Sequence, residues 1–253
     1  MNTALQYLHP IDLSEMSAIK LMNRVDTKYM TNQRFLPDLL AQAAEAGYRV
    51  QVVEDSQVGL YRTLYYDTPD AEMYHTHHNQ KLQRQKIRTR TYLTSAEQTT
   101  YLEIKNKTNK GRTKKKRIEI LPADFFNFKN DENAVGFFRQ HSPYNTNNLV
   151  PQVSNTFDRI TLVNAAKTER LTIDYRLHFD NLYTGKTVDV PDIAIIELKQ
   201  DGLCHSQFKD FLLDARIKPV SISKYCLGTI LTNDTVKSNR FKKKMMYLEK
   251  LIT

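Results

Sequence analysis

The sequence predicts a mainly β protein with flanking helices, an α+β fold in which antiparallel strands close into a barrel with a polar interior. Three observations predict this class. Many segments alternate between apolar and charged residues, which is typical of antiparallel strands. The charged side of those strands carries more lysine and arginine than a solvent-facing sheet needs. Segments with helical patterns and capping residues lie between the strands.

Length, composition and charge narrow the class further. The chain has 253 residues, of which 40% are hydrophobic, and β barrels often reach this length as one domain. We therefore expect residues 1–253 to form a single domain. The formal net charge of +9 predicts an anionic partner: nucleic acid, an acidic membrane surface or a phosphorylated small molecule.

Several classes of protein are disfavoured. The first residues lack the pattern of a signal peptide, and no stretch approaches the roughly 20 apolar residues of a membrane span. Cys204 and Cys226 lack the spacing of a zinc site. No module for stacking bases or reading a groove is present, so we expect no nucleic-acid partner. We expect a cytoplasmic protein; the sequence leaves open an association with a membrane protein, and it does not indicate an oligomeric state.

Eight segments have the alternation of strands. In the segment KIRTRTY, Lys86, Arg88 and Arg90 occupy every second position and therefore share one face. In LTIDYRLHF, the apolar positions alternate without a break from Leu171 to Phe179, which predicts one apolar face along that whole strand. The predicted strands are residues 23–30, 59–67, 86–92, 101–107, 115–121, 155–163, 171–179 and 193–199.

Helices are predicted in the gaps between these strands. The segment 31–48 begins with a Thr-Asn cap and ends near Gly47. The segment 67–79 offers Asp67 or Thr68 as an N-cap. The remaining candidates are residues 122–140, residues 204–216 and an amphipathic C-terminal helix over about 238–252.

The crowding of like charges on the strand faces calls for counter-ions. A single charged face is more often simply solvated, but several strands share the pattern, and the face of KIRTRTY carries no carboxylate. Two like charges about 4 Å apart cost on the order of 4 kcal/mol at an effective dielectric of about 20. If the charged faces line a barrel of about eight strands, the barrel can enclose one ligand. A linear phosphate chain is negatively charged at every unit, and arginine binds phosphate bidentately.

The residues also resemble a known family. The segment YYDTPDAEMYHTHHNQKLQRQKIRTRTY resembles the turn, helix and R-x-R strand of the VTC (vacuolar transporter chaperone) polyphosphate polymerase domain, a member of the triphosphate tunnel metalloenzyme superfamily. The motifs DTKY, LEIK, KKKR, FDRITL, RLTIDYR, IIELK and SISKY occur in the order of that family. The resemblance covers about residues 20–230. It implies a closed antiparallel eight-stranded tunnel barrel, a Mn²⁺ or Mg²⁺ cofactor, and ATP, triphosphate or polyphosphate as ligand.

The resemblance also implies roles for individual side chains. Lys28, Arg88, Arg90 and Glu197 are the expected catalytic group, and Glu197 is the expected metal ligand. Glu103 and Asp174 are in phase with the cations, and each is expected either to contact the metal or to pair with an arginine. Strand alternation adds Arg117 and Lys199 to the phosphate-binding residues that the resemblance implies. The full expected set is Lys28, Arg88, Arg90, Lys105, Lys115, Arg117, Arg159, Arg170, Lys199, Ser223 and Lys224.

We therefore predict an enzyme, an ATP-dependent polyphosphate polymerase that transfers the γ-phosphoryl group to a growing chain. An inorganic or nucleoside triphosphatase of the same fold is the first alternative, and a non-catalytic polyphosphate-binding protein is the second. His75 and His78 are three residues apart on a predicted helix but lack a further metal ligand, which favours a role on the flank of the barrel.

Overall fold

A curled sheet forms the centre of the structure, which is a computed structural model describing residues 2–19, 21, 23–109 and 113–252. The strands in these ranges are β1 (His9–Ile11), β2 (Arg24–Asn32), β3 (Arg49–Gln51), β4 (Gly59–Asp67), β5 (Arg84–Tyr92), β6 (Thr100–Lys107), β7 (Thr113–Ile120), β8 (Val150–Val163), β9 (Glu169–Asn181), β10 (Thr187–Val190) and β11 (Ile193–Asp201). The helices are α1 (Asn2–Leu5), α2 (Leu13–Ala18), α3 (Leu36–Glu45), α4 (Glu72–His78), α5 (Glu132–His141), α6 (Gln207–Asp214), α7 (Lys224–Thr232) and α8 (Lys242–Ile252).

The main path of the sheet is β2-β11-β9-β8-β4-β5-β6-β7, and every neighbouring pair on it is antiparallel. The predicted antiparallel sheet with flanking helices is confirmed. The expected closed eight-stranded barrel is not what the pairing shows: eleven strands take part, and within the described ranges no ladder joins β2 to β7. The sheet is an open, curled half-barrel. Exposed Lys114 and Lys116 on β7 give a physical reason, because lysines on an edge strand oppose further pairing.

The cross-strand register decides which residues share a face, because directly opposed residues point the same way. Arg88 is opposite Glu103, and Lys28 is opposite Glu197. Lys105 of β6 and Glu197 of β11 interact electrostatically although four strands of the main path separate them. The sheet therefore curls with these charged side chains on its concave side, which is called the inner face below.

Helices cover the opposite, convex face, which is apolar. On one side of the sheet, Ile173 and Ile196 pack with Leu40 of α3 and Phe208 of α6. Under α5, a second buried cluster contains Leu64, Ile87, Leu102, Phe125, Phe128 and Phe138. Burying one such side chain contributes about 1.5–3 kcal/mol, so these contacts fix which face of the sheet lies outward.

A third apolar cluster occupies one end of the inner face, where α7 and α8 pack. Its members include Met30, Tyr65, Phe157, Ile195, Tyr225 and Leu248. Gly228 allows α7 to lie close to the sheet, because a Cβ there would be 2.5 Å from a ring carbon of Phe179. The inner face thus carries an apolar patch under α7 and α8, with charged side chains beside it and over the rest of the face.

A β-bulge interrupts the regular alternation that was predicted for β9. Leu171 and Ile173 belong to the cluster on the convex face, whereas Leu177 and Phe179 belong to the cluster under α7. The register between β8 and β9 shifts at this point, and Arg176 adopts a left-handed backbone with φ of 52°. The bulge exchanges the two faces of the strand, and the expectation of one apolar face from Leu171 to Phe179 is wrong.

Capping side chains lie near the starts of two predicted helices. Asn32 accepts a hydrogen bond from the Arg34 amide at 2.9 Å and starts a 3₁₀ turn that precedes α3. Helix α4 begins at Glu72 with Ala71 as its N-cap, so the expected N-cap at Asp67 or Thr68 is wrong. These two side chains still accept hydrogen bonds from the first turn of α4, Thr68 from the Glu72 amide and Asp67 from the amides of the next two residues. The predicted helix over 122–140 is broken into two 3₁₀ turns and α5. In the described ranges, no helix combines the length and the apolarity needed to cross a membrane.

Candidate phosphate-binding site

The inner face carries the residues that the sequence singled out. Glu103 lies between Arg88 and Arg117 across the ladder, and Arg159 lies opposite Asp174. All the strand residues predicted to bind phosphate share this face; they are Lys28, Arg88, Arg90, Lys105, Lys115, Arg117, Arg159, Arg170 and Lys199. The remaining two, Ser223 and Lys224, stand at the start of α7, which packs on the same face.

Glu103 is the most deeply buried carboxylate of the site. Its side chain is 1% exposed and accepts hydrogen bonds from Arg88 at 2.5 and 2.7 Å and from Lys115 at 3.1 Å. Burial opposes ionisation, yet the Arg88 guanidinium beside it holds the pKa of Glu103 below its usual range. Glu103 therefore stays ionised and fixes the orientation of Arg88.

Asp174 holds a second pair of cations on the other side of the inner face. Arg159 donates to it at 2.5 and 2.7 Å, and Lys224 donates from the start of α7. The rings of Tyr61 and Phe157 lie against the Arg159 guanidinium, at 4.7 and 5.2 Å from their centroids. Stacking and a bidentate ion pair together leave Arg159 little freedom before a ligand arrives.

Arg90 is buried without such a carboxylate partner. It donates to the Thr63 hydroxyl at 3.0 Å, and in the described part of the chain it forms no ion pair. Burial lowers the pKa of Arg90, and the nearby cations Arg88 and Arg159 lower it further. Arg90 thus has unused hydrogen-bond donors in a positive environment, as an anion-binding residue should.

Lys105 and Arg170 likewise form no ion pair in the part of the chain that the structure describes, whereas Arg117 lies apart from them. The pKa of Lys105 lies well below its usual value, mainly because of repulsion by the Arg88 guanidinium. Burial, followed by Arg24 and Arg159, lowers the pKa of Arg170. Arg117 sits on the exposed strand β7 with its guanidinium 4.4 Å from the centroid of the Tyr101 ring.

The predicted metal ligands Glu103, Asp174 and Glu197 do not come together. In the ranges that the structure describes, no group of three His, Cys, Asp or Glu side chains could hold a metal ion. Glu103 and Asp174 instead take the arginine-pairing role that the sequence left open. A metal cage built from these three carboxylates therefore does not fit the geometry.

Glu197 alone fits a metal that arrives with phosphate. Its side chain is 25% exposed, and it contacts Lys199 at 2.6 Å and Lys28 at 3.6 Å. Burial favours protonation, but Lys199 and then Lys28 hold the pKa of Glu197 well below its usual value. Directly across the ladder, the buried Thr172 hydroxyl has no hydrogen-bond partner in the described residues. One carboxylate together with phosphate oxygens is a common set of ligands for Mg²⁺.

Sequence reasoning concentrated on charges and missed neutral and aromatic members of the inner face. Asn155 is fully buried, and within the described residues neither its amide nitrogen nor its amide oxygen has a partner. Asn155, Phe157 and Arg159 occupy every second position of β8 and therefore share one face. This spacing from Arg159 is the sequence signal that could have identified Asn155. Like Thr172, Asn155 therefore has unused hydrogen-bonding atoms on the inner face, as far as the described residues show.

The fold and the site define a class of protein: a curled antiparallel sheet whose cation-lined concave face suits an extended polyanion. The family model of the VTC domain matches residues 23–233, so the chain belongs to the VTC domain family. This membership confirms the resemblance drawn from the sequence. It supports a function related to triphosphate or polyphosphate binding.

A comparison with solved structures finds similar chains at low sequence identity. A Bacillus halodurans protein proposed to be an adenylate cyclase is 15% identical, with a TM-score of 0.51, over 80% of this chain and 96% of its own. The PH1012 protein of Pyrococcus horikoshii is 10% identical, with a TM-score of 0.41, over 78% of this chain and 96% of its own. A conserved Pyrococcus furiosus protein is 13% identical, with a TM-score of 0.40, over the same shares. A comparison with curated proteins finds no match.

Triphosphate affinity is expected to fall as the pH rises from about 8 to about 10. Burial lowers the pKa of both Lys86 and Lys224 to about 8, from an ordinary value of 10.5. Each lysine that loses its proton weakens anion binding by up to about tenfold per pH unit. In the same window the ligand-free protein should gain stability, because the unfolded chain binds more protons than the folded one.

Calorimetric titration with tripolyphosphate across this pH range measures the effect. The variant Lys224→Arg should flatten the decline, because arginine stays protonated. The exposed Lys243 is a matched control, and Lys243→Arg should leave the profile unchanged. An affinity that stays constant up to pH 10 in the unmodified protein would show that these ammonium groups do not bind the ligand.

Proposed function

We propose that this protein is an ATP-dependent polyphosphate polymerase, which transfers the γ-phosphoryl group of ATP to the end of a phosphate chain. The observation that carries the proposal is the arrangement of charge on the inner face. Glu103, Asp174 and Glu197 are each already paired with two cations, whereas Arg90, Lys105 and Arg170 form no ion pair with any described residue. A phosphate chain supplies the missing negative charges along one line.

In this proposal, the side chains position the phosphates and stabilise charge. Arg88 and Arg159 are held by Glu103 and Asp174, so they keep their orientation as charge develops on the transferred group. Arg90 supplies donors that have no carboxylate partner. Phosphoryl transfer has a loose transition state, for which positioning and electrostatic stabilisation supply most of the catalysis.

Mn²⁺ or Mg²⁺ is the proposed cofactor, with Glu197 as its protein ligand and the Thr172 hydroxyl beside it. The metal would neutralise negative charge on the phosphate oxygens. Lys28 and Lys199 hold the Glu197 carboxylate on the inner face. The chain of phosphates would lie along the inner face, with β2 and β7 as the two walls of the tunnel that the sequence predicts.

The acceptor distinguishes the polymerase from a triphosphatase. A second phosphate chain in line with the transferred group gives polymer, whereas water gives free phosphate. Family membership and the length of the cationic face favour the polymer. The triphosphatase stays as the second candidate, because the inner face holds triphosphate equally well.

Incubation of the purified protein with ATP and Mn²⁺, followed by a gel stained for polyphosphate, tests the proposal. We expect polymer to accumulate with time. Free phosphate without polymer would favour the triphosphatase, and binding without turnover would favour a non-catalytic polyphosphate-binding protein.

Glu197→Gln tests the metal assignment in the same assay. The variant should lower turnover by about ten- to a hundredfold, as loss of a metal-site group commonly does. Tripolyphosphate affinity without metal should not fall, because the change removes a negative charge from the site. Full activity in Glu197→Gln would mean that another group holds the metal.

A further inference from the structure

A second group of cations lies at the end of the inner face where α7 and α8 pack. Arg84 and Lys107 face each other across the β5–β6 ladder, and Lys86 is the next inner-face position on β5. Lys244 joins them from α8, with its ammonium 5.0 Å from the centroid of the Phe241 ring. We call Arg84, Lys86, Lys107 and Lys244 the distal cations.

His77 of α4 shows that these side chains converge. Burial lowers the pKa of His77 to about 2, and Lys86, Arg84 and Lys244 all act on it electrostatically. Lys107 interacts in turn with Arg84. The imidazole Nδ1 is buried and has no hydrogen-bond partner in the described part of the chain. Cations from β5 and α8 therefore act on one imidazole, and Lys107 of β6 acts on Arg84 beside it, although these positions are far apart in the sequence.

Carboxylates of the described residues do not pair with this group. Lys86 donates to the Ser223 hydroxyl at 2.7 Å, and Arg84 donates to the Lys81 carbonyl at 3.0 Å. Among the ion pairs of the described residues, none involves a distal cation. Half-buried like charges without counter-ions are costly, and an anion that spans them would relieve that cost.

We infer that the distal cations form a second phosphate-binding subsite, which binds the part of a polyphosphate chain that extends beyond the phosphates held by Arg88, Arg90, Arg159 and Lys224. Lys86 connects the two groups, since it precedes Arg88 on the same face of β5. The inference rests on the phosphate ligand of the proposed function, and it goes beyond that function by adding a chain-length-dependent site. Lys244 lies outside residues 23–233, which the family model matches.

The affinities for tripolyphosphate and for long-chain polyphosphate, compared in one buffer, test the inference. In the double variant Lys107→Gln/Lys244→Gln, we expect the dissociation constant for long-chain polyphosphate to rise about tenfold. The salt dependence of binding should also weaken by about 1.5 units of slope, because two phosphate contacts are removed. The dissociation constant for tripolyphosphate should change less than twofold, because that ligand reaches only the central group and the adjoining Lys86, which this variant keeps. The charge-keeping variant Lys107→Arg/Lys244→Arg should bind both ligands as the unmodified protein does.

The exposed Lys242 and Lys243 provide a control with the same change in net charge on the same helix. Lys242→Gln/Lys243→Gln should leave both affinities nearly unchanged. Equal weakening for both ligands, no weakening for either, or the same loss in the control would overturn the subsite. If the unmodified protein binds neither ligand, the proposed function fails with it. Normal binding of polyphosphate by the distal variant, in contrast, removes the subsite alone.

Discussion

Replacing Arg90 with methionine is expected to lower phosphoryl transfer and triphosphate binding by about a hundredfold or more, the usual effect of removing one preorganised donor. Arg90 is 7% exposed, and its one side-chain hydrogen bond within the described residues goes to Thr63. Methionine keeps an unbranched stem, so the change removes chiefly the guanidinium, whose carbon lies 5.7 and 5.8 Å from the ring centroids of Tyr61 and Phe157.

The ligand-free Arg90→Met variant should be at least as stable as the unmodified protein. Burial and the neighbouring cations Arg88 and Arg159 all disfavour the charge of Arg90. Replacing a buried charge of this kind by an apolar group can stabilise a protein by about 1–2 kcal/mol. Urea denaturation measures this free energy of unfolding, and calorimetric titration measures the affinity.

Arg62→Met is the matched control on the neighbouring strand. Arg62 lies on the convex side, with its guanidinium 5.3 and 4.8 Å from the ring centroids of Phe125 and Phe126. Its replacement should leave triphosphate affinity unchanged. If Arg90→Met lost stability and kept its affinity, Arg90 would be a structural residue and the assignment of the phosphate site would be wrong.

Glu103→Gln is expected to have the largest effect on stability, a loss of about 3–5 kcal/mol in the free energy of unfolding without ligand. Glu103 is almost fully buried and compensates Arg88, which is itself 7% exposed. Glutamine fits the space but leaves the buried guanidinium without a counter-charge. Thermal and urea denaturation of the ligand-free variant measure the loss.

Tripolyphosphate should restore much of this stability, because it brings negative charge to the same cations. Saturation at about 100 times the dissociation constant adds about 2.7 kcal/mol to any protein that binds only when folded. The ligand should bind Glu103→Gln more tightly than the unmodified protein, since Arg88 and Lys115 are released from their partner. The exposed Glu119 is the control, and Glu119→Gln should show neither the loss nor the rescue. A destabilised Glu103→Gln that ligand does not rescue would place the phosphates away from Arg88.

The strands and the charged face could be predicted because both follow a local period of two. Arg88 and Arg90 on β5, or Arg170 and Asp174 on β9, share a face wherever the strand stays regular. The bulge at Arg176 breaks this rule, and nothing in the alternation of β9 signals it. The left-handed backbone at a non-glycine residue is imposed by the surrounding sheet.

Two other features, the open edge of the sheet and helix α7, could not be predicted because they depend on contacts between distant parts of the chain. Pairing between β2 and β7 depends on strands that are distant in the chain, and no local pattern specifies it. Gly228 and the β-branched residues of α7 disfavour a helix, and packing against Val153 and Phe179 overrides that preference.

The cations of the candidate site could be predicted from the sequence, but the ion pairs that they form could not. The sequence left Glu103 and Asp174 open between a metal and an arginine, and only the geometry resolves them as partners of Arg88 and Arg159. The grouping of the distal cations was beyond sequence reasoning, because Lys244 comes near Arg84 only through the docking of α8. Asn155 and Thr172 were missed because neutral side chains carry no charge pattern.

A crystal soaked with tripolyphosphate and Mn²⁺ tests the central claim most directly, which is that the cationic inner face binds a chain of phosphates. We expect density for consecutive phosphates on the concave side of the sheet, in contact with Arg88, Arg90, Arg159 and Lys224. Density for tripolyphosphate confined to the convex side or to the exposed lysines of α8, with the inner face unchanged, would contradict the account.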